Sequence, residues 1–141
     1  MHLIIYLAPA LFCSQAVHAA ELTVDINNRK SPDFTIICGL FESKSGFPME
    51  SKKAAMVVNG SAEGDKTSCK FSNVKAGRLA VAVQEDFNAN GKVDTTFVGF
   101  PKEPWGVSKD APMHTFGPPT FDEAAIDVNG DMSIEIKLNL P

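Results

Sequence analysis

Oxygen-bearing side chains recur at alternate positions in Asp86-Phe87-Asn88-Ala89-Asn90-Gly91-Lys92-Val93-Asp94. A hard cation such as calcium takes about six to eight oxygen ligands, and alternate residues of a curling chain point inward together. Asp86, Asn88 and Asn90 fill the first three alternate places of such a loop. Gly91 allows the sharp turn, and the Lys92 carbonyl and Asp94 carboxylate fall at the next two ligand positions. The expected chemistry is calcium coordination at a weak site, with Kd ~0.1–1 mM, because Phe97 stands where a bidentate carboxylate belongs. A missing ligand would come from Glu85, Asp122, Glu123 or water. The same residues also suit an Asx-rich hairpin, with Asn90-Gly91 in a type I′ turn and no metal.

Other constellations offer less. Ser108, Asp110 and His114 lie close in sequence, but in a Pro-flanked loop with no Gly-x-Ser-x-Gly elbow, so no triad is expected. Asp86 and Asp122 are a conceivable glycosidase pair, yet paired acids near turns are more often solvated or metal-bound. Zinc lacks ligands, since His114 is the only histidine beyond His2 and His18. No enzyme is expected. Trp105, between Pro104 and Gly106, offers with Phe116 an aromatic platform for a carbohydrate or peptide, unless it merely plugs one end of the fold.

The chain that must position these groups has 141 residues, 44% hydrophobic and 21% charged, enough for one domain with a real core. Thirteen basic residues against seventeen acidic ones leave no basic footprint for nucleic acid. Leu3 to Val17 is mostly apolar and too short for a bilayer span, and Val17-His18-Ala19-Ala20 has small residues where a signal peptidase cleaves. Residues 1–19 therefore read as a signal peptide, cut after Ala19 or Ala20, and residues 20–141 as a single domain without a membrane span. An uncleaved anchor is the alternative. Cleavage would remove Cys13 and leave Cys38 and Cys69, an even pair that reads as one disulfide in an oxidising compartment rather than two buried thiols. The expected location is periplasmic or secreted.

Period-two alternation dominates after residue 20. Leu22, Val24 and Ile26 share a face, as do Phe34, Ile36, Cys38 and Leu40, then Cys69 and Phe71, then Leu79, Val81 and Val83, and finally Ile134, Ile136, Leu138 and Leu140. Ala54–Val58 and Ala124–Val128 are weaker runs. About seven short strands separated by Asn/Gly turns predict an all-β, antiparallel sandwich, immunoglobulin-like or prealbumin-like. The exception is Glu85 to Asp122, a stretch with five prolines and little alternation. So long a connection is functional or carries structure of its own.

Two resemblances follow from quoted residues. Phe71-Ser72-Asn73-Val74-Lys75-Ala76-Gly77-Arg78-Leu79-Ala80-Val81 resembles the strand–turn–strand step of prealbumin-like and carboxypeptidase-regulatory sandwiches, a likeness of fold alone. Glu85–Thr95, Gly99–Glu103, Trp105–Ser108 and Phe116–Ala125 together resemble the exported bacterial "domain of unknown function 2141" family, and the likeness runs from Leu22 to Leu138. It implies an exported, signal-bearing β-sandwich with no established activity. Asp86, Asn88, Asn90, Gly91 and Asp94 match its motif, whereas Glu85 stands where His is common, Trp105 where Tyr is usual, and the cysteine pair is particular to this chain. The expectation is a non-catalytic envelope module, calcium-stabilised, whose partner is an envelope protein or a glycan. A carbohydrate- or peptide-binding module centred on Trp105 is the alternative.

Overall fold

A computed structural model describes residues 19–141; the apolar segment read as a signal peptide lies outside the described residues. Nine strands form in chain order: β1 (Ala20–Asn27), β2 (Thr35–Phe41), β3 (Met56–Asn59), β4 (Ser61–Glu63), β5 (Lys66–Val74), β6 (Gly77–Asp86), β7 (Trp105–Val107), β8 (Ile126–Val128) and β9 (Met132–Lys137). One sheet has the order β4-β5-β1-β9; the other has β3-β2-β6-β7, with β8 also on β6. The two pack face to face as the expected sandwich. Every strand pair is antiparallel except β1 with β9, which run parallel with Leu22 opposite Met132 and Ile26 opposite Ile136.

Alternation explains the core. Leu22, Val24 and Ile26 of β1, Cys69 and Phe71 of β5, and Ile136 of β9 face inward from one sheet. Ile36, Cys38 and Leu40 of β2 and Leu79, Val81 and Val83 of β6 meet them from the other. Phe34, grouped with β2 by the pattern, falls just before that strand and stacks on Phe87, with ring centroids 4.4 Å apart. Cys38 and Cys69 are fully buried and bonded to each other, so one covalent bridge ties the sheets through the core. Such a bridge suits an extracytoplasmic compartment. Among the described residues no helix is long and apolar enough to cross a membrane. The turn between β5 and β6 carries the chain from one sheet to the other.

The long connection after β6 has structure of its own. It supplies β7, a 3-10 turn at Ser108–Asp110 and one helical turn, α1 (Phe121–Ala124). Phe121 and Ala124 pack with Val107, Phe41 and Ala80 in a second apolar cluster. Ser108 is buried; its hydroxyl accepts from Val81 N at 3.0 Å and donates to the Ala124 carbonyl at 2.5 Å. β7 also closes against the end of the chain, with Asn139 N donating to the Trp105 carbonyl at 2.7 Å. Gly106 makes this approach possible: a Cβ there would sit 2.7 Å from Ile136 Cγ2 and 2.9 Å from the Lys137 carbonyl oxygen. Gly106→Ala should therefore cost about 1–3 kcal/mol through overpacking, read as a lower urea midpoint at unchanged slope.

Candidate functional site

Asp86 ends β6, and the loop to Asp94 curls back on its own side chains. The Asp86 carboxylate is buried and accepts backbone N–H groups from Gly91 at 2.8 Å and Asn90 at 3.3 Å. Asn88 Oδ1 accepts from Asn90 N at 3.3 Å, and Asn90 Oδ1 from Lys92 N at 2.9 Å, two Asx turns in succession. Their amide nitrogens converge on Asp94: Asn88 Nδ2 lies 2.6 Å from Oδ2, and Asn90 Nδ2 lies 2.9 and 3.0 Å from the two carboxylate oxygens. Asp86, Asn88, Asn90 and Asp94 are thus brought together as their spacing implies. The Lys92 carbonyl is already engaged, accepting from Gln84 Nε2.

The loop is not a type I′ hairpin at Asn90-Gly91. Positive φ falls on Ala89 (56°) and Gly91 (70°), with Asn90 between them outside that region, whereas a type I′ turn needs it at both central residues. None of the acids named as completing ligands joins the loop. Glu85 points to the other side of β6 and is fully buried. It accepts from Arg29 Nε at 3.3 Å, Lys30 N at 2.9 Å and Ser31 N at 3.2 Å, which pins the β1–β2 connection. Asp122 pairs with Arg78 Nη1 at 2.5 Å. Glu123 closes a capping box with Thr120 at the start of α1. The Thr120 backbone N–H, followed by His114 and the Thr120 hydroxyl, holds its carboxyl down to about 2.

The carboxylate at the foot of the loop is Glu103, which sequence reasoning missed. It is 4% exposed and accepts from Gln84 Nε2 at 2.7 Å, Phe87 N at 2.9 Å and Asp94 N at 3.4 Å, so it clasps both ends of the loop to β6. No local motif marks it; the only hint is that polar Gln84, Glu85 and Asp86 continue an apolar strand and buried polar groups need partners. Phe97, at the place of the absent carboxylate ligand, is fully exposed. Among the described residues no three His, Cys, Asp or Glu side chains are gathered as a ready-made metal-holding group.

The catalytic constellations do not assemble. Ser108 is bonded to backbone, Asp110 Oδ1 accepts from Lys137 N at 2.9 Å, and His114 Nε2 lies 2.8 Å from Glu123 Oε2. Asp122 is tied to Arg78 near the start of β6 while Asp86 ends it. Eight residues of extended strand separate the two ends by about 25 Å, far beyond a glycosidase pair. Trp105 is half-buried and Phe116 fully exposed, and they do not share a cleft. Trp105 lines one with Phe100, Met113 and Leu140, and Phe116 lines the next with Val98, Phe100 and Met113.

A family model described as an uncharacterized protein conserved in bacteria (DUF2141) matches residues 24–136, a span that includes both sheets, the bridge, the Asp86–Asp94 loop and Glu103. No curated protein and no solved structure matches the chain. A match over so much of the length assigns the family: this chain belongs to DUF2141, a family of uncharacterized bacterial proteins.

Proposed function

We propose that this chain is an exported, non-catalytic β-sandwich module of the cell envelope, periplasmic or secreted, whose Asp86–Asp94 loop is stabilised by calcium. The observation that carries this reading is the convergence of Asp86, Asn88, Asn90 and Asp94 beside Glu103, with none of the three carboxylates in an ion pair among the described residues. Two amide groups now place their partial positive charge on Asp94. Rotating either amide presents Oδ1 in place of Nδ2, in exchange for the Asx-turn contacts, and a divalent cation then takes over the neutralisation of Asp86 and Asp94. Solvent supplies the remaining ligands, which keeps the site weak.

The test is a thermal melt of residues 20–141, which hold every element, the disulfide and both apolar clusters. In about 10 mM calcium, a hundredfold excess over a Kd of ~0.1 mM, the native state gains about 2.7 kcal/mol relative to excess EDTA, a rise of several degrees. Asp86→Ala and Asp94→Ala should each erase the rise. A melt indifferent to calcium, or a rise that survives both substitutions, refutes the assignment.

A further inference from the structure

On the outer face of the β3-β2-β6-β7 sheet, the two central strands carry small residues side by side. Gly39 of β2 pairs with Ala82 of β6, while Phe41 follows two places along β2 and Trp105 stands opposite Gln84 on β7. A cleft results, with Gly39 and Ala82 at its floor, Phe41 and Trp105 in its walls, and Met49 and Ser51 along its border. Phe47 anchors that border, edge-on to Phe41 at 5.3 Å and to Phe121 at 5.9 Å. Glu50 N closes the turn by donating to the Gly46 carbonyl at 2.8 Å. The cleft is thus formed before anything enters it. It encloses about 440 Å³, its open mouth included, which suits a single ring.

Apart from Ser51, the lining is apolar except for one side chain, Gln84, which is 7% exposed. Its amide nitrogen commits both hydrogens, one to the Lys92 carbonyl and one to Glu103 Oε2 at 2.7 Å. Two acceptors on that nitrogen fix which way the amide faces, so Oε1 is turned away from them. No group among the described residues donates to Oε1. Among those residues no buried side-chain oxygen lacks a partner, so Oε1 is open, and the cleft is what Gln84 borders. An apolar cleft with one fixed polar anchor has the form of a small-molecule site. We propose that it binds a small neutral ring carrying one hydroxyl or N–H donor, with the ring against Trp105 and the donor on Gln84 Oε1. The Glu103 carboxylate behind the amide polarises Oε1 as an acceptor and disfavours anions. A sugar would leave most of its hydroxyls unpaired against the apolar walls, at a cost that one acceptor does not offset. Binding here needs no calcium.

Titration of nitrogen-15-labelled residues 20–141 with phenol, in EDTA so that a cation plays no part, tests this. Trp105 is the only tryptophan, so its indole N–H gives a single resonance that reports on the cleft. Phenol should move that resonance along a saturable curve in the millimolar range. Anisole, the same ring without a donor, should bind about tenfold more weakly, because Gln84 Oε1 is then covered and left unpaired. Ala82→Leu fills the floor and should abolish the shift. Gln84→Met removes the acceptor and should bring phenol down to the affinity of anisole. Retained dispersion of the amide spectrum shows that each variant folds, and the comparison of phenol with anisole needs no variant at all. Absence of a saturable shift with phenol, equal affinity for anisole, or binding that survives Ala82→Leu overturns the proposal.

Discussion

Glu103→Ala should lower the stability of the domain by about 2–4 kcal/mol, because the substitution takes the acceptor from two part-buried backbone N–H groups at once. The carboxylate takes a hydrogen bond from the Gln84 amide and from the backbone N–H groups of Phe87 and Asp94. Gln84 keeps its contact to the Lys92 carbonyl, but the two part-buried backbone groups lose their acceptor. Glu103→Gln retains one acceptor oxygen and should cost about 1–2 kcal/mol. Urea unfolding distinguishes the two, each read as a midpoint shift at constant slope. Equal losses for alanine and glutamine would show that the negative charge, and not the acceptor geometry, holds the loop.

The second large effect concerns the bridge between the sheets. Reduction of Cys38–Cys69 should cost about 4 kcal/mol, since the bond closes a loop with a sequence separation of 31 and removes the corresponding freedom from the unfolded chain. For a domain of this size that is a fall in melting temperature of roughly ten to twenty degrees. Both cysteines are fully buried in the core, so reductant reaches the bond only when the sandwich opens. Urea unfolding followed by Trp105 fluorescence, with and without reductant, should give two midpoints separated by a corresponding amount. Coincident midpoints would mean that the reduced unfolded chain is already as restricted as the oxidised one.

The strands that carry the core were legible because burial on one face imposes a period of two. β1, β5 and β9 show it. On β2 and β6 the larger apolar residues keep the period although the second apolar cluster covers the opposite face as well, and the cysteine pair falls on the core-facing phase of β2 and β5. β7 and β8 span three residues each, too few for any period to appear, and their places are decided by pairing with β6. Thr120-Phe121-Asp122-Glu123 did hold a local sign of α1, the spacing of a capping box, which alternation arguments pass over. At the loop, the alternate oxygens revealed which side chains converge. Glu103 stayed hidden because its three partners lie on β6 and at both ends of the loop, a meeting that exists only after the chain has turned back. The alternative turn at Asn90-Gly91 failed for a related reason: the tight bend is shared between Ala89 and Gly91, an arrangement set by the hold of Asp86 on the loop backbone.

The parallel pairing of β1 with β9 bears on when the molecule can form. β1 lies inside its sheet, with β5 on one flank and β9 on the other, and the groups it joins along that second flank are 110 residues apart in the chain. Contacts so distant in sequence are entropically late and slow to be made. Until residues 132–137 have been synthesised and released, β1 presents an open edge and Ile136 is missing from the core. A nascent chain of this sequence therefore carries an unfinished sheet until residues 132–137 are in place beside β1.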